Sequence, residues 1–506
     1  MGSSQSKVPE PAVSEKLVER LRALELKYND NGSVNGYVHL STAGPPSYSP
    51  AVTGVSTSRV TQWEKELLED PKNRLALSAL SANAPASILT NRAATISDTQ
   101  NFNIKIPFEG SPITNQGSSG RCWLFASTNV FRVALARKYN LKEFELSQSY
   151  LFYWDKLEKA NFFLEQVLDT VDEELDGRLM QALLASPVGD GGQWDMAANL
   201  VEKYGLVPQA LYPDSYNAKN SSAMGTLITT KLREDALVLR RLASGSAEAK
   251  SSLSATKEKM MREVHLILTL MLGPPPNPAE KFTWEFSDKD DKFQKVTTSP
   301  IKFAADLSNK DSIRACGGTD VHRLFSLVND PRNSYGELLS VSRLGNVVDG
   351  RPVTYVNVDM PTIKSAAIAM IKRGLPVFFG SDVGKYENSS LGIMDTSLLD
   401  YELGFNIRLG MRKAERLMTG ESAMTHAMVL TAVHVDDDGK PVRWRVENSW
   451  GTGAGSKGYF VMSDAWMDQF VYQVVVDPAF VSKEVRDVLD KDAKMLDLWD
   501  PMGALA

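Results

Sequence analysis

A β-hairpin near the C-terminal end of the sequence constrains the fold most. Residues 427–435 are β-prone, the run Asp436-Asp437-Asp438-Gly439-Lys440 is a turn, and residues 442–447 are β-prone again. A hairpin centred near Asp437 leaves His426 and Asn448 side by side at its open end. An imidazole with an amide neighbour on rigid strands is a preorganised acid–base element. It calls for a nucleophile elsewhere in the chain.

Cys122 fits that need. It follows a polar Gly/Ser loop, residues 115–120, and stands at the start of a helix expected over 123–139 with Asn140 as its C-terminal cap. Nearly every face of that helix is apolar or small near its start, so it is expected to be central and buried. A thiol attacks a carbonyl as thiolate, which a helix N-terminus and a neighbouring imidazolium both favour. Gln116, six residues upstream, is placed to join the Cys122 backbone N–H in an oxyanion hole.

These segments resemble a known family. Residues 116–123, Gln-Gly-Ser-Ser-Gly-Arg-Cys-Trp, are similar to the nucleophile segment of papain-like peptidases. Asn448-Ser449-Trp450-Gly451 is similar to their Asn-Ser-Trp-Gly segment, and Gly191-Gly192 to the glycine pair lining their substrate cleft. Departures point to a subfamily. Ser119 stands where secreted papains carry a disulfide cysteine, and Arg121 replaces a small residue. His426 lies 304 residues after Cys122, against about 130 to 150 in papains. With residues 190–196, 282–286 and 499–505, these features resemble the bleomycin hydrolase family, cytosolic cysteine aminopeptidases of C1B type, over roughly residues 60 to 506.

The resemblance implies an α+β, papain-like fold with a large helical insertion and arms at both ends. The expected divisions are an N-terminal arm over 1–65 and a helical half over 66–215 carrying Cys122. A mostly helical oligomerisation insertion follows over 216–355, then a β-rich half over 356–484 carrying His426 and Asn448, and a C-terminal arm over 485–506. It further implies removal of N-terminal residues from peptides, hydrolysis of bleomycin-type amides, and a homohexameric ring. Trp450 would shield the His–Asn pair. The arm would enter the cleft so that the Ala506 carboxylate meets the α-ammonium of peptides with a free N-terminus.

Composition sets limits. The 506 residues are 43% hydrophobic and 23% charged, with net charge −6, which gives no global attraction to nucleic acid. Lys231, Arg233, Arg240, Arg241 and Lys250 could still form a local basic face for single-stranded nucleic acid, a second reading beside a Cys-His acyltransferase. Two cysteines, Cys122 and Cys316, make no disulfide framework, and Cys316 reads as structural. That suits the cytoplasm, with a mitochondrial pool as a second location. The opening Met1-Gly2-Ser3-Ser4-Gln5-Ser6 fits N-myristoylation at Gly2, against a plain Ser-rich start. No metal-ligand spacing or phosphate loop is present, so no cofactor is expected, and no apolar run is long enough for stable membrane insertion.

Overall fold

The computed structural model describes residues 55–310 and 320–505. Gly2, the stretch 15–26 whose spacing predicts an amphipathic helix, Cys316 and Ala506 lie outside the described residues. The chain divides into two compact units, Met1–Arg74 and Leu75–Ala506. In the first, a helix spans Thr57–Glu69 with Trp63 and Leu67 exposed on it.

The second unit is organised around one mixed sheet, twelve-stranded among the described residues. Its middle runs Phe325–Val328, Val471–Val476, Val377–Ser381, His426–Val435, Pro441–Glu447 and Tyr459–Ser463, each hydrogen-bonded to the next. These central strands read as apolar runs because elements cover both faces: all five residues of Val377–Ser381 are buried. The expected hairpin is present. Its Asp436–Lys440 turn closes through the Asp436 N–H to the Lys440 carbonyl at 2.9 Å. Residues 325–357 also join this sheet, because Phe325–Val328, Leu338–Val341 and Thr354–Asn357 are short β-branched and leucine-rich strands. The helical stretch proper therefore comprises Ser222–Ala243, Ala247–Ser251 and Leu253–Leu272. Its apolar face, Ile228, Leu232, Leu239, Val264, Leu268 and Leu272, packs inward at helical spacing.

The helix that begins at the expected nucleophile spans Cys122–Lys138 and packs on the strand His426–Val435. Its first fifteen residues are all buried, as its all-round apolar character requires. Asn140 follows it with φ of 54°, a left-handed position that asparagine tolerates. The hairpin of Phe282–Ser287 and Phe293–Thr298 sets Trp284 against Tyr139 and Phe144, bracing the far end of that helix. Among the described residues, no helix is long and apolar enough to cross a membrane.

Candidate active site

Two segments meet at the catalytic end of the sheet. The N–H of Gln116 donates to Ser449 O at 2.9 Å and the N–H of Gly451 to Thr114 O at 3.0 Å, so the loop before the nucleophile is sewn to the Asn-Ser-Trp-Gly segment. The side chain of Gln116 is buried in this seam. Its Oε1 accepts from Ser449 Oγ at 2.6 Å, and its Nε2 donates to Ser119 O at 2.6 Å. One amide proton is thereby committed to a backbone carbonyl.

His426 and Asn448 are in contact, with Nε2 to Oδ1 at 2.8 Å. The Ser449 N–H also donates to that Oδ1, at 2.8 Å, which fixes the atom as oxygen. The ring therefore carries its proton on Nε2, and Nδ1 is left without one. The pairing register differs from simple hairpin symmetry. Val429 opposes Glu447 and Leu430 opposes Val446. Continued outward, that register brings His426 against Trp450, with Asn448 two positions off on the diagonal. A bulge between Leu430 and Ala432 shifts the ladder, and it also breaks the alternation that would put His434 on the face of His426. Trp450 stands over the imidazole, ring centroids 4.9 Å apart, and shields the His–Asn contact from water.

Cys122 opens its helix with 2% of its surface exposed. The backbone N–H groups of Ala427, the residue after His426, and of Trp123 and Cys122 itself favour the thiolate. Burial nonetheless pushes the thiol up to about 11 and His426 down to about 4, against the raising effect of Asn448. Each ion alone is disfavoured in this closed site. Proton transfer from thiol to imidazole creates opposite charges together, and their attraction with the three backbone donors offsets that burial.

Gly191 and Gly192 are required by close approach rather than by backbone angle. A Cβ on Gly192 would lie 2.4 Å from the Trp123 ring, and one on Gly191 would lie 2.8 Å from Leu505. Gln193 Nε2 donates to the Ala504 carbonyl at 2.7 Å. The C-terminal segment thus lies on the glycine wall. Met502, 2% exposed, and the Asp500–Arg332 ion pair at 2.8 Å anchor it.

The two departures from the secreted pattern are coupled. Arg121, fully buried, donates through Nε to Ser119 Oγ at 2.8 Å and through Nη1 to Asp214 at 2.8 Å, and it lies over Phe125 and Phe152. This network braces the loop where secreted papains have a disulfide. The sequence hinted at it through the paired changes at 119 and 121, but nothing local pointed to Asp214. Other partners that sequence reasoning missed are Asp190, Lys156, Lys159 and the Arg132–Glu447 pair. The basic residues considered for nucleic acid are largely committed: Lys231 pairs with Asp235 and Glu263, and Arg233 and Arg240 donate to backbone carbonyls. Among the described residues no group of three His, Cys, Asp or Glu side chains is placed to hold a metal ion.

A buried thiol at a helix start, a glycine wall packed on the next residue of that helix and an imidazole–amide pair on a facing sheet define a papain-like cysteine peptidase. Residues 54–503 match the Peptidase C1-like family. The chain is 44% identical to human bleomycin hydrolase, over 90% of this chain and 99% of that one. It is 41% identical to the mitochondrial cysteine proteinase 1 of Saccharomyces cerevisiae, over 90% and 93%. The crystal structure of PepW from Lactobacillus rhamnosis superposes with a TM-score of 0.84 at 41% identity, covering 90% of this chain and all of that one. The chain belongs to the Peptidase C1-like family, and it is a cysteine aminopeptidase of the bleomycin hydrolase kind.

Proposed function

We propose that Cys122, His426, Asn448 and Gln116 remove N-terminal residues from peptides through a thioester, and that the C-terminal segment restricts the enzyme to free N-termini. Cys122 Sγ adds to the scissile carbonyl carbon as its proton passes to His426. The oxyanion is met by the Cys122 N–H and the free amide proton of Gln116. The C–N bond breaks as His426 returns the proton to the leaving amine. Water then adds to the thioester, again losing its proton to His426, and the thiol leaves. Asn448 keeps the ring proton on Nε2 throughout and takes no proton itself.

The observation that carries the selectivity is the seating of Leu505 on Gly191 with the Ala504 carbonyl held by Gln193. A segment lying there blocks a substrate chain continuing in the N-terminal direction. The carboxylate of Ala506 would meet the substrate's α-ammonium group and set the first peptide bond over Cys122. Hydrolysis of bleomycin-type amides belongs to the same reading, on the likeness to human bleomycin hydrolase. The homohexameric ring, the cytoplasmic location with a mitochondrial pool, and acylation of Gly2 belong to the same reading. They rest on the likeness to the relatives above and, for acylation, on the Met1–Ser6 motif.

Deleting residues 503–506 tests it. Hydrolysis of a free-amine anilide falls by about tenfold or more, as loss of one charge-assisted contact predicts, and N-blocked peptides become substrates. A truncated enzyme that still demands a free amine refutes the role of the tail. Hydrolysis surviving in Cys122→Ala refutes the nucleophile.

A further inference from the structure

The helix Gln148–Asp169 sends two lysines toward the cleft wall, three residues apart on one face. Lys156 is fully buried and Lys159 is 5% exposed. Together they hold the loop before Gly192. Lys156 Nζ donates to Val188 O, and Lys159 Nζ donates to Gly189 O at 2.8 Å and to Gly191 O at 2.7 Å. The remaining carbonyl, of Asp190, accepts from Trp123 Nε1 at 2.8 Å. Four consecutive carbonyls are thus turned inward onto donors.

Asp155 and Asp190 balance the charges, Asp155 against Lys159 at 2.7 Å and Asp190 against Lys156 at 2.5 Å. Asp190 also accepts the Gly120 N–H at 3.0 Å, two residues before the nucleophile, and the hydroxyl of Ser221. Burying two ammonium groups and two carboxylates is seldom better for stability than apolar packing of the same volume. What this cluster contributes is shape.

The peptide between Gly191 and Gly192 shows the consequence. With the Gly191 carbonyl held on Lys159, a planar trans peptide turns the Gly192 N–H to the opposite side. Among the described residues that N–H has no acceptor. Gly191 itself faces the seated Leu505. The geometry points to Lys159 as a positioning residue for peptide binding: its ammonium locks the Gly191 carbonyl inward and thereby presents the Gly192 N–H, beside the seated C-terminal segment, to the backbone of the substrate's first residue. Lys156 and Asp190 carry the same constraint to the turn that precedes Cys122. This inference rests on the reading of Cys122 as nucleophile and of Gly191–Gly192 as the cleft wall.

The test is the variant Lys159→Met, together with Lys159→Met/Asp155→Asn, which leaves no unpaired buried ion and keeps the fold. Circular dichroism and thermal melting confirm folding. Two rates are then compared: hydrolysis of a free-amine aminoacyl anilide, and alkylation of Cys122 by iodoacetamide, which needs no wall. In the folded variant KM rises by about tenfold while kcat changes by about threefold at most, the size expected for one lost charge-fixed contact. Alkylation stays within about twofold of wild type. A KM equal to wild type in the folded double variant overturns the proposal. So does alkylation that slows in step with kcat/KM, because the lysine would then act on the thiol and not on the wall. Wild-type enzyme alkylated at Cys122 is a separate control: hydrolysis persisting there overturns the site itself.

Discussion

Arg132→Met breaks the buried ion pair that ties the helix Cys122–Lys138 to the last residue of the strand Pro441–Glu447, directly before Asn448. Arg132 is 1% exposed. Its Nη2 donates to Glu447 Oε1 at 2.6 Å and to Gly110 O at 2.9 Å, and its Nη1 donates to Pro112 O at 2.7 Å and Phe144 O at 3.3 Å. Methionine keeps much of the volume but leaves Glu447 and three carbonyls without this donor. Removing one partner of a buried pair costs about 3–5 kcal/mol. The loss also depends on pH. Burial already pushes Glu447 up from 4.5 to about 7, with Arg132 holding it down against Glu109. A carboxyl raised on folding disfavours the native state increasingly as pH climbs from the unfolded to the folded pKa, because the unfolded chain releases its proton first. Without Arg132 the folded pKa rises further, so the loss grows by about 1.4 kcal/mol for each pH unit above about 7 until that higher pKa is passed. Urea unfolding followed by tryptophan fluorescence at about pH 5.5 and about pH 8 measures both parts. Turnover falls as well, since Glu447 directly precedes Asn448. A loss below about 1 kcal/mol, or one that shrinks on going to the higher pH, refutes the reasoning.

Other substitutions separate the remaining roles. Gln116→Ala lowers kcat by on the order of a hundredfold, as loss of an oxyanion donor does, and Asn448→Ala lowers it less; steady-state kinetics in which both are silent would remove the seam from the mechanism. Lys413 is buried, donates to Val471 O at 2.6 Å, and is pushed down to about 7 by burial. Its folded pKa lies below the unfolded value of 10.5, so its penalty is full below about pH 7 and vanishes as pH rises through 10.5. Lys413→Met therefore raises thermal stability more at about pH 6.5 than at about pH 10, and the opposite order in a melting series would exclude a buried charge there.

The sequence by itself determined the reactive elements. A glycine-rich loop opening an apolar helix can bury that helix only in a core, and it leaves a thiol at the helix N-terminus. Two β-prone runs about an Asp/Gly turn can only return on themselves, so His426 and Asn448 had to be neighbours. Those signals are local, set by period, capping and turn chemistry. Tertiary structure decided what depends on contacts between distant segments. The bulge after Leu430 changed which residues face each other and brought Trp450 over His426. Strands at 325–357 joined the main sheet because partners elsewhere in the chain offered free edges. Both cleft glycines proved necessary because Trp123 and Leu505 arrive from 69 residues upstream and 314 residues downstream. Buried charges were the least legible of all. No local signal marks Lys159 or Arg132 as buried charges, and their partners, the carbonyls of 189 and 191 and the Glu447 carboxylate, come within reach only when the chain closes around them.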